Sequence, residues 1–260
     1  MAAVLLAACA SPVRMVDRPS GPLPWSAAIG RLDSVEAGGS CSATLVRPDI
    51  ILTASHCLYG RGDYARITDF SFTPALDVGR ERLRPIPVAS VIAMGWPIKP
   101  DASGELRGEP RDDWALLRIA RNVDYLAPLK VEKLSVAEIE ERLKGGNTLA
   151  HAGYGVYGVG SGRRLQIRDH CRLIVDEKDL LRTGRDVIKN NCAVIPGDSG
   201  GPILLSDAAG QHVVVGVVTN FWRPEDSDEM TSFGPSSIYF ADMIGEGKSA
   251  PAAATSLSQP

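Results

Sequence analysis

Pro196-Gly197-Asp198-Ser199-Gly200-Gly201-Pro202 sets three glycines and two prolines around a single serine. Such a stretch bends the backbone into shapes that side-chained residues resist, so that a hydroxyl and neighbouring N–H groups are presented together. A serine hydroxyl is a poor nucleophile near neutral pH: it needs a base within hydrogen-bond reach, and that base needs a third group to orient it. Four histidines are available as bases, His56, His151, His170 and His212. Working outward from the serine, two upstream stretches stand out. Leu52-Thr53-Ala54-Ser55-His56-Cys57 continues the apolar run that starts at Ile50, and Asp112-Asp113-Trp114-Ala115-Leu116-Leu117 opens an apolar run with a carboxylate.

These three stretches together carry a family resemblance. Gly197 to Pro202 resembles the nucleophile loop of the chymotrypsin-like (trypsin-fold) serine proteases. The stretch around His56 resembles that family's Leu-Thr-Ala-Ala-His-Cys motif, with Ser55 replacing an alanine. The third motif, Asp followed by a bulky apolar residue, Ala, Leu and Leu, selects Asp113 over Asp112. The chain order His56, Asp113, Ser199 belongs to the same family, because unrelated folds build this constellation in other orders. Gly197 to Gly201 also satisfies the Gly-x-Ser-x-Gly pattern of α/β-hydrolases, but that fold places its Asp and His after the serine. The only later histidine, His212, is too close in sequence for another strand and helix to intervene.

The resemblance spans about Trp25 to Phe240. It implies an all-β class made of two six-stranded antiparallel β-barrels, with the active site in the cleft between them. It also implies a serine endopeptidase in which His56 takes the Ser199 proton and later passes it to the leaving amine, while Asp113 holds the imidazole tautomer. The backbone N–H groups of Gly197 and Ser199 would form the oxyanion hole. In the family's zymogens the aspartate matching Asp198 pairs with a new N-terminal amine, yet no Ile-Val-Gly-Gly activation site is present here. Cys41 and Cys57 match the disulfide beside the catalytic histidine, which would contribute roughly 3 kcal/mol in the chain-entropy model. Cys171 and Cys192 are then left to each other.

The substrate pocket departs from the better-known branches. Ala193 stands where trypsins carry the aspartate that binds a basic side chain. The overall layout resembles the bacterial secreted branch that includes the glutamyl endopeptidases, but these place a histidine before the residue matching Thr219, and here it is Val218. Phe221 falls where many relatives have a pocket glycine. The implied P1 preference is neither basic nor acidic, and a shallow pocket for small apolar side chains is expected. The competing class is a catalytically silent homologue that keeps the fold as a binding module; its usual sign is a missing triad residue, and none is missing.

With 260 residues, 44% of them hydrophobic, the chain can bury a full core. A net charge of −3 gives no sign of a nucleic-acid surface. No apolar run has the length of a membrane span. Met1 to Ala10 has an apolar stretch followed by small residues, as in a secretory signal. Ala8-Cys9-Ala10 fits a cleavage site, and Leu6-Ala7-Ala8-Cys9 also resembles a lipoprotein lipobox that would leave Cys9 as a lipid anchor; both alternatives place the protein outside a bacterial cytoplasm. Setting Cys9 aside leaves four cysteines, an even number suited to bridges in an oxidising compartment. There is no C-x-x-C, no H-E-x-x-H and no cluster at zinc-ligand spacing, so neither metal nor cofactor is expected.

Along the body, short apolar runs recur between turn signals: Ala43 to Val46, Ile50 to Thr53, Pro87 to Ile92, Trp114 to Ile119 and Val213 to Thr219. Many short strands separated by Gly and Pro indicate a sandwich or barrel rather than βαβ units. Ser135-Val136-Ala137-Glu138 matches a capping box, with Ile139, Leu143 and a Gly145-Gly146 stop marking a short helix. Gly153 to Gly158 spells G-x-G-x-x-G, but Gly160, Gly162 and a basic pair follow instead of a helix, so a glycine-rich loop is expected. His151 reads as a strand residue with a satisfied ring, and His170 and His212 as structural or solvent-facing. The expected organisation is a leader and arm over 1–24, a first barrel over 25–122, a connector with the helix over 123–147, a second barrel over 148–242 and a disordered tail over 243–260.

Overall fold

The computed structural model describes residues 14–19, 21–34, 39–60, 63–75, 81–95, 99–100, 106–156, 162, 164–175, 186–222 and 230–245. The expected leader with Cys9, Gly158 of the glycine-rich loop and the tail beyond Gly245 lie outside these residues. Strands β1 (Ile29–Ser34), β2 (Gly39–Arg47), β3 (Ile50–Thr53), β4 (Phe70–Pro74), β5 (Ile86–Met94) and β6 (Ala115–Ile119) close into a barrel in the order β6-β3-β2-β1-β4-β5. The hairpin between β2 and β3 turns at Pro48-Asp49, where Arg47 pairs with Ile50. Proline presets the φ that such a turn needs. All four residues of β3 are buried, as are Ala115, Leu116 and Leu117 of β6. Two adjacent strands buried on both faces explain why Ile50 to Leu52 and Ala115 to Leu117 are continuous apolar runs rather than alternating ones.

The second half contains β7 (Thr148–Gly153), β8 (Gln166–Cys171), β9 (Val187–Asn190), β10 (Pro202–Ser206), β11 (His212–Val217), β12 (Asn220–Trp222) and β13 (Thr231–Pro235). They form a four-stranded sheet, β8-β7-β10-β11, and a three-stranded sheet, β9-β13-β12. Two single bridges, Gly216 to Ser236 and Leu173 to Asn190, join the sheet edges, so β8, β7, β10, β11, β13 and β9 follow one another around a second ring. β12 is an extra strand laid against β13, pairing Phe221 with Ser232.

Between the halves, helix α1 (Val136–Lys144) has its capping box complete, with Ser135 Oγ accepting from the Glu138 N–H and the Glu138 carboxylate accepting from the Ser135 N–H. Its Ile139 is fully buried in the second core, beside Leu149, Ile203 and the Cys171–Cys192 disulfide. Met243 to Gly245 belong to helix α2 (Ala241–Gly245) rather than to a disordered tail. Apolar burial explains the difference: Phe240 and Ile244 reach into the first core. The arm before Trp25 is likewise engaged, Arg14–Val16 pairing in parallel with Glu81–Leu83.

The first core cluster runs past the boundary between the halves. It joins the barrel residues to Ala150, Ala152 and Tyr154 and to Leu204, Val214 and Val217 of the second half. A shared close-packed core holds the two halves in a fixed relation, which a cleft between them requires.

Candidate active site

The position of Asp113 follows from strand register. β6 pairs with β3 so that Ala115 faces Thr53 and Leu116 faces Leu52. Extending that antiparallel register by two residues brings Asp113 opposite Ser55, next to His56. Asp113 Oδ2 lies 2.7 Å from His56 Nδ1. Its Oδ1 accepts from the His56 backbone N–H and from the Ser55 hydroxyl, both at 2.9 Å. Ser55 is thus more than a small residue in place of another: it is a third hold on the carboxylate. Asp112 is half-exposed, its carbonyl accepts from the Trp114 N–H, and among the described residues no hydrogen bond or ion pair joins its carboxylate to His56.

Asp113 is 2% exposed. Burial by itself would raise its pKa, but the His56 imidazole, the His56 N–H and the Ser55 hydroxyl outweigh it and hold the carboxyl below its ordinary value. For His56, burial pushes down and the Asp113 carboxylate pushes up more strongly, leaving the imidazole above its ordinary value of 6.5. The disulfide Cys41–Cys57 sits against the ring. The Cys57 sulfur lies 3.8 Å from His56 Nε2 and 3.8 Å from the Ser199 carbonyl oxygen, which brings histidine and serine to the same sulfur atom. Cys41, His56 and Cys57 bring ligand atoms within 4.8 Å of one another, but the sulfurs are bonded to each other and offer no thiolate to a metal.

The serine loop is tied down from both halves. Ser42 of β2 donates its N–H to the Ser199 carbonyl at 2.7 Å and its hydroxyl to the Gly197 carbonyl at 2.8 Å, while Ser42 Oγ accepts from the Tyr154 N–H at 2.8 Å. Gly200 donates to the Val218 carbonyl and Gly201 to that of Asp198. Gly197 has φ +98° and Gly200 φ +83°. A Cβ on Gly200 would collide with the Ser42 carbonyl and the Thr53 hydroxyl, and one on Gly197 would stand 2.6 Å from the Tyr154 carbonyl. Among the described residues, the N–H groups of Asp198, Gly200 and Gly201 are all donated within the protein, whereas those of Gly197 and Ser199 find no protein acceptor. The Pro196 carbonyl accepts from Val156 N–H, and across a trans peptide the Gly197 N–H points the opposite way.

The Ser199 hydroxyl donates to the Thr219 carbonyl at 3.3 Å, and among the described residues no hydrogen bond joins it to His56. Thr219 is buried, its own hydroxyl bonded to the Phe233 carbonyl at 3.0 Å. Ala193 is exposed, and Phe221 is 39% exposed on β12. An open groove of about 710 Å³ is lined by Gly197, Pro196, Val156, Arg31, Asp33 and Ser40, among others, and a smaller hollow of about 120 Å³ by His56, Tyr59, Leu32, Phe70 and the Cys41–Cys57 bridge. Both His56 and Gly197 therefore border space that a bound chain could occupy.

Next to the serine, Asp198 is wholly buried and forms an ion pair with Arg168 of β8 at 3.1 Å. Burial raises its pKa, against the Ile195 N–H, the Arg168 guanidinium and the Gly155 N–H, which lower it. Arg168 also lies 3.5 Å from His151 Nε2. The His151 ring is not satisfied as expected: among the described residues its Nδ1 has no partner. Burial, then the nearby guanidinium, push its pKa down to about 3, so the ring stays neutral. His170 closes β8 at φ +54°, and His212 stacks on Trp25 at 3.8 Å while its Nδ1 meets Ser206 Oγ at 2.7 Å. Ser42 and Arg168 escaped the sequence reading. A serine after Cys41 carries no local signal, but a charged residue within the second barrel's strand pattern could have pointed to a buried counter-charge.

Two packed β-barrels with a His–Asp pair from one and a glycine-bounded serine loop from the other define the chymotrypsin-like architecture. The family model for trypsin matches residues 13–244, and the chain belongs to that family. A trypsin-like protease of Streptomyces glaucescens is 27% identical over 195 residues, covering 69% of this chain and 64% of its own length. The match thus spans less than two thirds of that relative. The crystal structure of a thermostable serine protease, AL20, from an extremophilic microorganism superposes with a TM-score of 0.57 at 22% identity, over 81% of this chain and 91% of that one, which is a likeness of fold.

Proposed function

We propose that the protein is a serine endopeptidase that hydrolyses peptide bonds through an acyl-enzyme, with Ser199 as nucleophile, His56 as general base and acid, and Asp113 as the group that orients and charges the imidazole. The observation that supports it best is the conjunction at one cleft: an Asp113-oriented His56 and Ser199 beside the same Cys57 sulfur, and two N–H groups on the serine loop, those of Gly197 and Ser199, that find no acceptor among the described residues. In this reading His56 Nε2 removes the Ser199 proton as Oγ attacks the scissile carbonyl carbon. The carbonyl electrons move to oxygen, where the Gly197 and Ser199 N–H groups stabilise the charge. Collapse of the intermediate breaks the C–N bond, and His56 returns the proton to the departing amine. Water then repeats the sequence on the ester and frees Ser199. To begin, the hydroxyl leaves the Thr219 carbonyl by a rotation about χ1 between staggered wells.

The pocket residues Ala193, Thr219 and Phe221 bring no charge, which favours small apolar side chains at P1 and neither basic nor acidic ones. A peptide-library profile dominated by Arg, Lys or Glu would overturn that preference. Two disulfides fit an exported protein. Among the described residues no helix is long and apolar enough to cross a membrane, and the choice between free release and lipidation at Cys9 is decided by the mass of the mature N-terminus.

The decisive experiment is covalent labelling with a fluorophosphonate, mapped by mass spectrometry, beside a His56→Ala variant. Labelling at Ser199 that disappears in the variant is expected. A hydroxyl that stays on the Thr219 carbonyl would leave both proteins unlabelled, and the chain would then be a binding module on a protease fold.

A further inference from the structure

We propose that Met230 is a positioning residue that sets the P1 preference by holding one wall of the substrate pocket through its sulfur; this rests on the endopeptidase reading above. In that reading Ala193 and Thr219 stand on two segments that flank the P1 side chain, and both segments are fastened to β13 or to the residue that leads into it. The Phe233 carbonyl accepts the Thr219 N–H at 3.1 Å and the Thr219 hydroxyl at 3.0 Å. On the other segment, the Cys192 N–H donates to Asn190 Oδ1 at 2.9 Å, and the same oxygen takes the Ser232 hydroxyl at 2.8 Å. The Val194 N–H donates to Met230 Sδ at 3.1 Å. Ala193 is thus an exposed residue between two tethered amides.

Met230 and Ser232 are two residues apart, and an extended chain carries such side chains to one face. Both serve the segment 192–194. Val194 is 2% exposed, and among the described residues its N–H has no acceptor other than the thioether sulfur. A buried N–H left without a partner costs the desolvation of that group, so even a weak acceptor decides where the amide settles. Methionine suits the task because its unbranched chain, with three rotatable bonds, can bend its sulfur to a nearby amide. Its side chain packs against the second core, which holds the sulfur in place. On the opposite side Phe221 pairs with Ser232, so the positions of both walls are set from one strand.

Packing and hydrogen bonding can be separated at this position. Leucine keeps the apolar volume but has no acceptor. Glutamine keeps a long unbranched chain and brings a carbonyl oxygen that accepts more strongly than sulfur. Met230→Leu therefore leaves the Val194 N–H to seek another acceptor, which shifts the Ala193 wall and weakens rejection of large P1 side chains. Ser199, His56 and the two oxyanion donors stay as they are.

The test uses the full chain and peptidyl diphenyl phosphonates carrying Ala, Leu or Phe at P1, with labelling at Ser199 mapped by mass spectrometry. A fluorophosphonate without a P1 side chain serves as the reference probe. Wild-type protein is expected to react faster with the Ala probe than with the Phe probe. Met230→Leu should lower that ratio roughly 10-fold, the scale on which an apolar pocket discriminates a methylene, while the fluorophosphonate rate is unchanged. Met230→Gln should restore the ratio. A Met230→Leu ratio equal to the wild-type one, or an equal loss of rate towards every probe, overturns the proposal, because the sulfur then only fills space. Met230→Gln behaving as Met230→Leu does overturns it as well. A wild-type chain that no probe labels overturns the endopeptidase reading instead, and this proposal with it.

Discussion

Asp113 and His56 set each other's charge. The pair lies where burial penalises both ions, and each favours the charged form of the other, with Ser55 and a backbone N–H supplying further donors to the carboxylate. A general base must be neutral to accept a proton, so activity falls as pH drops through the folded pKa of His56. Because Asp113 raises that pKa, the acid limb of kcat/KM is expected above 6.5. Asp113→Asn removes the upward push and leaves burial, which acts downward. The acid limb of that variant should move below the wild-type one, while kcat falls by about 10⁴-fold, as for loss of the orienting carboxylate in a Ser-His-Asp triad. A pH–rate profile of the two proteins checks both the direction and the size, and an unmoved limb would show that Asp113 does not govern the imidazole.

At the scale of elements, the hold on the site comes from pairing rather than from individual contacts. The β3–β6 register delivers Asp113 to His56, and a one-residue slip would present Asp112 instead. The short 3-10 turn Ser55–Leu58 that follows β3 carries His56, and the Cys41–Cys57 bridge fastens that turn to β2. The bridge spans 16 residues of sequence. Replacing both cysteines by alanine should therefore cost about 3 kcal/mol, a fall of roughly 6 to 12 °C in Tm for a domain of this size. Differential scanning calorimetry of the double variant tests this; an unchanged Tm would mean that β2 and the turn are held by packing alone.

For the molecule as a whole, the C-terminal segment acts as a strap. Phe240 packs against Trp114, the neighbour of Asp113, with ring centroids 5.9 Å apart, and Arg47 of the first barrel donates to the Ile244 carbonyl at 3.0 Å. Ser237 donates to the Glu132 carbonyl at 2.6 Å, and Lys133 pairs with Asp242, which binds the connector to the same segment. Phe240 is fully buried in the core that joins the halves. Phe240→Ala is expected to cost about 3 to 5 kcal/mol and to lower the unfolding midpoint in denaturant as one cooperative transition. Separate transitions for the two halves would show that the shared core does not couple them.

Local chemistry suffices for much of this protein. Glycines that alone tolerate the serine loop, apolar runs of strand length, a Pro-Asp turn and a capping box are all set by backbone sterics and by burial within a few residues, and so they are legible in order along the chain. Family likeness in three such stretches carried the expectation of His56, Asp113 and Ser199 meeting. Assembly decided the rest. Which groups end up without water depends on what packs across the chain, and that is how Arg168 becomes the partner of Asp198, Ser42 the bridge to the serine loop, and Ser55 a donor to Asp113. The His151 Nδ1, without a partner among the described residues, and the helix at Ala241–Gly245 arise for the same reason: charge compensation and apolar burial are settled between residues far apart in sequence, where no local pattern records them.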